Sequence, residues 1–161
     1  MNNVVVIGAK GKINVEEVIK KLHEYCSPCQ IFDADVICGE EHIITAYHHA
    51  KRAFKYGKNI AKSMEMEILL YVAARRQIND AIKFAGAKNN GKYAFLFVGK
   101  SKKDAEDFVK MLGMKIDNRL LKPSIQKLKK FGITEKELKS VNKSMYADLV
   151  LEKMALLELM K

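Results

Sequence analysis

The chain has 161 residues, of which 48% are hydrophobic and 30% are charged, and its formal net charge is +10 at pH 7. This length suits one domain with a full core, and this apolar content excludes a disordered chain. No apolar run approaches the ~20 residues that span a bilayer. No charged segment with a cleavage site opens the chain, so a secretory signal is not expected. Three cysteines fit a reducing compartment, and we therefore expect a cytoplasmic protein.

Strand and helix patterns alternate along the chain. Runs of β-branched and aromatic residues predict strands over residues 3–7, 30–38, 93–98 and 114–117. Capping residues and apolar spacings of three and four predict helices over residues 14–25, 42–62, 63–74, 78–86, 101–113, 123–131, 134–141 and 144–160. We expect an α/β fold, with a single domain over residues 1–161 and a small mixed β-sheet flanked by several α-helices.

Positive charge is concentrated in the middle of the chain. Residues 1–41 carry a net charge of −3, residues 42–103 carry +10 and residues 104–161 carry +3. The middle segment alone therefore has an excess equal to that of the whole chain. Such a distribution favours an anionic partner and is independent of the fold.

Helical spacing gathers part of this charge on one face. The helix predicted over residues 42–62 has polar and basic side chains opposite its apolar stripe, namely His48, Arg52, Lys55, Asn59 and Lys62. Further polar side chains follow at Arg75, Arg76, Gln77, Lys83 and Lys88. Clustered lysine and arginine bind phosphates, and Tyr47, Tyr56 or Ile78 could stack on unpaired bases. This pattern predicts an RNA-docking surface; the alternative is an ordinary solvated helix face.

Cysteine chemistry is a competing interpretation. Cys26 and Cys29 have the spacing of a redox dithiol, but they follow a predicted helix, whereas such sites place the first cysteine at a helix N-terminus. His23 and Cys38 could complete four zinc ligands, although the spacing matches no common zinc motif. Ordinary turn and core cysteines are therefore expected, without a metal or another cofactor.

A carboxylate enzyme is the other competing class. Asp33, Asp35 and His42 lie close together in the sequence, and paired carboxylates can perform acid–base chemistry in a cleft. The two aspartates alternate with apolar residues, which is typical of the solvated face of a half-buried strand. His42 is expected to be a structural or capping histidine. No nucleophile–base spacing supports catalysis.

The last predicted helix is apolar around much of its circumference. Met145, Leu149, Leu156 and Met160 share one face, and Val150, Met154 and Leu157 extend it. Such a helix needs cover on more than one side. One side can pack on the core, and the other could contact a partner protein or the neighbouring helices of residues 123–141.

Three stretches together resemble the kinase-binding subunit family of the KEOPS complex, also known as PRPK-binding proteins. They are FDADVICGEEHIITAYHHAKRA from Phe32, EILLYVAARRQINDAIKFAG from Glu67, and VLEKMALL from Val150. Their order and spacing cover nearly the whole chain. The arginine–glutamine–isoleucine segment at residues 76–78 is the most specific of the matching features.

The resemblance implies a non-catalytic subunit of the assembly that installs threonylcarbamoyl on the adenosine beside the anticodon of certain tRNAs. Members contact and stimulate the small atypical kinase/ATPase and, through it, the threonylcarbamoyl transferase subunit. They also help to recruit tRNA by its 3′ CCA end. From this resemblance, Arg76, Gln77 and Ile78 are expected to bind tRNA. A kinase contact is expected in the apolar C-terminal helix, at Val150, Met154, Leu157 and Met160.

Overall fold

A four-stranded antiparallel sheet lies at the centre of the computed structural model, which describes residues 3–161. Its strands run in the order β2-β3-β1-β4 and span Val4–Lys10 (β1), Cys29–Asp33 (β2), Lys92–Val98 (β3) and Lys115–Ile116 (β4). The α/β class is confirmed. The sheet is not mixed, because every pairing in the described part of the chain is antiparallel. Strands buried on both faces have continuous apolar runs that do not reveal strand direction.

Eight α-helices in the described range, residues 3–161, surround the sheet. They span Val15–Tyr25 (α1), Glu40–Lys55 (α2), Met64–Ala73 (α3), Ile78–Ala85 (α4), Lys102–Met111 (α5), Ile125–Lys130 (α6), Glu135–Lys139 (α7) and Tyr146–Met160 (α8). Asn14, Ser63 and Ser101 accept the expected capping hydrogen bonds. The helix predicted to reach residue 62 ends at Lys55, and Gly57 takes a positive φ of 67° in the loop that follows. Within residues 3–161, no helix combines the length and apolar character needed to cross a membrane.

Alternating strand residues build a core on each face of the sheet. Val6, Phe32 and Leu96 pack with α2, α3 and α4, and α8 covers that layer. Ile7 and Phe95 point to the other face, where α1 and α5 lie. A third cluster joins α6, α7 and α8. The described residues thus form one α/β unit; the first two residues of the domain predicted over 1–161 lie outside the described range.

The second strand ends earlier than the sequence indicates. It stops at Asp33, and Ala34–Val36 forms a short 3₁₀ helix. The buried Asp33 carboxylate accepts hydrogen bonds from the Asp35 N–H (2.9 Å) and from Asn90 Nδ2 (2.8 Å). The expectation of a solvated Asp33 is therefore wrong, because this carboxylate caps the turn that replaces the end of the strand.

His42 is a structural histidine, as expected. Its Nδ1 accepts a hydrogen bond from the Cys38 N–H (3.0 Å), and its Nε2 lies 2.8 Å from the Val72 carbonyl, to which it donates. Burial lowers the pKa of His42 to about 4. The neutral ring therefore joins the start of α2 to α3.

Because His42 is buried in its neutral form, we expect the stability of the fold to decrease in acid. The unfolded chain takes up this proton near pH 6.5, whereas the folded chain resists it until about pH 4. The free energy of unfolding should therefore fall as the pH decreases between these values, by ~3 kcal/mol in total. Burial also lowers the pKa of His49, which acts in the same direction. Urea unfolding of wild type and His42→Gln at pH 4.5, 5.5, 6.5 and 7.5 should show a shallower pH slope in the variant. Equal slopes would contradict the prediction.

Candidate nucleic-acid interface

The outer face of α2 presents part of the predicted basic surface. His48 and Lys55 are exposed, and the Lys55 ammonium lies 5.5 Å from the ring centre of the exposed Tyr56. Arg52 is also exposed, but its guanidinium is paired with Glu158 of α8 (3.3 Å). His48, Lys55 and Tyr56 therefore form the accessible part of this face, whereas Arg52 already has a carboxylate partner.

The loop over residues 56–63 extends this face and is held from inside the protein. The fully buried Glu67 accepts hydrogen bonds through Oε1 from the N–H groups of Ile60 (2.9 Å) and Ala61 (2.8 Å). Its other oxygen pairs with the Lys161 ammonium. Asn59 donates a hydrogen bond to the Ala61 carbonyl (2.9 Å). Asn59 therefore takes part in the loop structure, while Lys62 is exposed.

Glu67 is a residue that sequence reasoning missed. In the sequence it is an acidic residue near the start of a predicted helix, where acidic residues are common. The signal that could have identified it is the run of six consecutive apolar residues that follows it, all of which are buried in the structure. An ionisable side chain in such a segment needs partners inside the fold, and here it has three.

The turn between α3 and α4 exposes the most specific predicted residues. Ala74 takes a left-handed conformation with a φ of 53°, and the Arg75 guanidinium lies 4.6 Å from the ring centre of Phe84. This contact fixes Arg75 against α4. Arg76 and Gln77 are exposed, and the partly buried Ile78 starts α4.

Two further lysines lie beside this turn. Lys83 is exposed on α4 and shares a shallow depression with Arg75, Asp80 and Phe84. Lys88 follows α4 and lies 3.4 Å from the Asp33 carboxylate. Lys83 therefore extends the basic surface around Arg75, whereas Lys88 is engaged by an internal partner.

A groove of about 390 Å³ separates this turn from α8. Arg75, Arg76 and Gln77 form one side, and Phe131 lies within it. The α8 side consists of Lys153, Leu156, Leu157 and Met160. Residues predicted for RNA binding and residues predicted for a protein contact therefore line the same groove, although about 80 positions separate them in the sequence.

Most of the side chains predicted for the kinase contact are internal. Val150, Met154 and Leu157 are buried in the core clusters, and of the three only Leu157 also lines the groove, so a partner cannot reach Val150 and Met154 on the surface of the folded domain. Met160 is 55% exposed. Leu156 and Leu159 are also exposed, at 53% and 82%. The accessible apolar side of α8 therefore consists of Leu156, Leu159 and Met160.

The cysteines are placed as sequence reasoning indicates, with one correction. Cys26 follows α1 and Cys29 starts β2, and the two form a disulfide rather than two separate thiols. Their α-carbons lie 5.4 Å apart, within the range that a disulfide bridges. Cys38 is free and buried, and burial raises the pKa of its thiol to about 11. No group of three or more potential metal ligands occurs within residues 3–161.

The structure does not assemble the alternative acid–base site. Both ring nitrogens of His42 are engaged by backbone groups, and Asp33 is held by its own turn. Asp35 pairs with Lys92 at 3.2 Å. The three side chains therefore have separate structural partners and do not meet as the acid, base and electrostatic groups of one site.

Comparison with known proteins identifies the family. The family model described as "Kinase binding protein CGI-121" matches residues 12–158. A KEOPS complex subunit Cgi121 from Pyrococcus abyssi is 38% identical over 109 residues, which cover 66% of this chain and 61% of that protein. A regulatory protein Cgi121 from Methanocaldococcus jannaschii is 32% identical over 136 residues, which cover 82% and 84% of the two chains. The chain therefore belongs to the CGI-121 family of kinase binding proteins.

Proposed function

We propose that this chain is a non-catalytic subunit of a cytoplasmic KEOPS complex, in which it binds and activates the small kinase/ATPase and recruits tRNA by the 3′ CCA end. The names of its relatives, a KEOPS complex subunit and a regulatory protein, support the complex and the regulatory role. The family description supports the kinase partner. The threonylcarbamoyl transferase subunit would then be reached through the kinase.

The proposal that the protein binds RNA is supported mainly by the exposed turn of Arg75, Arg76 and Gln77 beside the groove. Arginines supply fixed cationic forks for phosphates, and the apolar groove can receive an unpaired base. His48, Lys55 and Lys62 add cations on the neighbouring α2 face and loop. Single-stranded RNA fits this combination better than a duplex does, because its bases are free to enter a groove.

The exposed apolar side of α8 supports the protein contact. Leu156, Leu159 and Met160 follow the helical spacing of three and four, so they present adjacent side chains to a partner. Exposed apolar groups arranged in this way are typical of helix-in-groove recognition. Val150, Met154 and Leu157 would act indirectly, by fixing α8 on the core.

The RNA proposal is tested with intact tRNA and with tRNA that lacks its 3′ CCA. Removing CCA should weaken binding to the isolated protein by about tenfold or more, the effect of losing one or two stacked bases. Lys55→Glu combined with Arg76→Glu should weaken binding of intact tRNA and reduce the difference between the two ligands. Equilibrium binding at 0.1 M salt measures both effects.

The matched control reverses two exposed lysines on α1, Lys20→Glu and Lys21→Glu. This variant has the same net charge but changes the opposite side of the sheet, so the preference for CCA should persist. Equal binding of both tRNAs to the wild type would exclude recruitment by the 3′ end. Unchanged binding of intact tRNA by a folded Lys55/Arg76 variant would exclude the central surface.

A further inference from the structure

A second concentration of positive charge lies around α6 and α7. Residues 119–143 contain eight lysine and arginine residues but only two acids, Glu135 and Glu137. The flanking segments are acidic, which is why the C-terminal third of the chain as a whole has a net charge of only +3. This segment is separate in sequence from the central basic surface and has no assigned role in the proposed function.

The two helices turn all of their lysines except Lys127 outward. Each buries a single side chain, Leu128 in α6 and Leu138 in α7, so their remaining side chains lie at or near the surface. Among the lysines, Lys130, Lys136 and Lys139 are exposed and form no ion pair with any residue in the range 3–161. We refer to these three side chains as the α6–α7 lysine surface.

Both acids of this segment, and its Lys127 and Lys129 side chains, have partners within the protein. Glu135 pairs with Lys129 at 2.8 Å, and Glu137 forms a capping box with Thr134. The Lys127 ammonium donates hydrogen bonds to the carbonyls of Ile37, Leu120 and Lys122. Both acids therefore have partners, and the charge of the α6–α7 lysine surface is left uncompensated.

This surface adjoins the groove at two points. Phe131 follows Lys130 directly, lines the groove and packs against Phe84 with ring centres 4.8 Å apart. Lys153 of α8 also lines the groove. The cluster of Leu138, Leu149 and Val150 packs α8 against α7, so Lys153 lies on the helix that contacts α7. Basic side chains thus continue from Arg75 and Arg76 past Lys153 to α7.

We propose that the α6–α7 lysine surface binds the phosphate backbone of the paired RNA stem next to the single strand held in the groove. This inference rests on the proposed function and extends it from the 3′ end to the acceptor stem. Lysines suit this task, because they neutralise phosphates without reading bases. Paired RNA is recognised largely through its backbone and shape, since its bases are stacked inside the helix.

The test uses the triple variant Lys130→Gln, Lys136→Gln and Lys139→Gln. Its control, Lys20→Gln, Lys21→Gln and Lys110→Gln, removes the same charge from exposed positions of α1 and α5 on the other face of the sheet. Each protein is titrated with intact tRNA and with a short single-stranded RNA ending in CCA, at salt concentrations from 0.05 to 0.2 M.

The triple variant should bind intact tRNA about 100- to 500-fold more weakly at 0.1 M salt, because each phosphate contact contributes roughly a factor of five to eight there. The slope of log affinity against log salt should fall by about 1 for each lysine removed. Binding of the short single strand should change by less than about twofold, and the control should match the wild type for both ligands.

Three outcomes would overturn the inference. The triple variant could retain the wild-type tRNA affinity, it could lose the single strand to the same extent as intact tRNA, or the control could show the same loss. If the triple variant no longer co-purifies with the kinase but binds tRNA as the wild type does, the α6–α7 lysine surface is a protein interface. That result also excludes a contact with the RNA stem. Failure of the proposed function is distinguishable, because it appears in the wild type as indifference to the CCA end.

Discussion

Replacement of Glu67 by alanine is expected to lower the free energy of unfolding by about 3–5 kcal/mol. The substitution leaves the buried Lys161 ammonium without its counter-charge, and the N–H groups of Ile60 and Ala61 lose their acceptor. Buried donors without partners and an unpaired charge are both costly in a protein interior. Urea unfolding at pH 7 measures the change.

Two variants separate the contributions of this carboxylate. Glu67→Gln retains an oxygen for the two N–H groups but removes the charge, so its loss of stability should be smaller. Glu24→Ala, at an exposed position of α1, should change stability by less than about 0.5 kcal/mol. Hydrogen exchange at the Ile60 and Ala61 amides should accelerate in the alanine variant. A change below about 1 kcal/mol with unaltered exchange would show that the loop does not depend on Glu67.

Glutamate at both Leu156 and Leu159 should weaken the complex with the kinase by about 100-fold or more. Interface leucines that become buried contribute through apolar contact, and a charge at the same position must be desolvated. Both side chains are at least half exposed in the isolated domain, so the variant should fold. Titration of the kinase with the purified variant measures the affinity.

Leu157→Glu is the matched comparison for this experiment. Leu157 is buried between α8 and the core, so a charge there should unfold the domain or destabilise it severely. The Leu156/Leu159 variant should instead retain a wild-type thermal midpoint. If it binds the kinase normally, the exposed side of α8 is not the contact surface.

Local signals were sufficient to predict most elements of the fold. The caps at Asn14, Ser63 and Ser101, and the aromatic run in β3, act within a few residues of their own position, so sequence patterns describe them well. The end of β2 was harder to predict from the sequence, because Asp33 caps its turn with the help of Asn90, a residue 57 positions away. Pairing direction in the sheet also depends on distant segments.

The sequence predicted which residues belong to the candidate site better than it predicted how those residues are arranged in space. Charge and spacing indicated the turn at Arg76 and the face around Lys55, but they could not show that Arg52 pairs with Glu158. The helical pattern of α8 gave no means of telling which apolar side was buried, because α2 and α3 cover Met154 and Leu157 from another part of the chain. Long-range packing decides such questions.

The shared groove makes the two proposed ligands thermodynamically dependent on each other. Arg76 belongs to one wall and Leu156 to the other, so a ligand that shifts either wall alters the free energy with which the second ligand binds. Such coupling is reciprocal: the factor by which the kinase changes tRNA affinity must equal the factor by which tRNA changes kinase affinity. A groove of this kind would therefore let the presence of substrate RNA regulate assembly of the complex, and assembly regulate capture of the RNA.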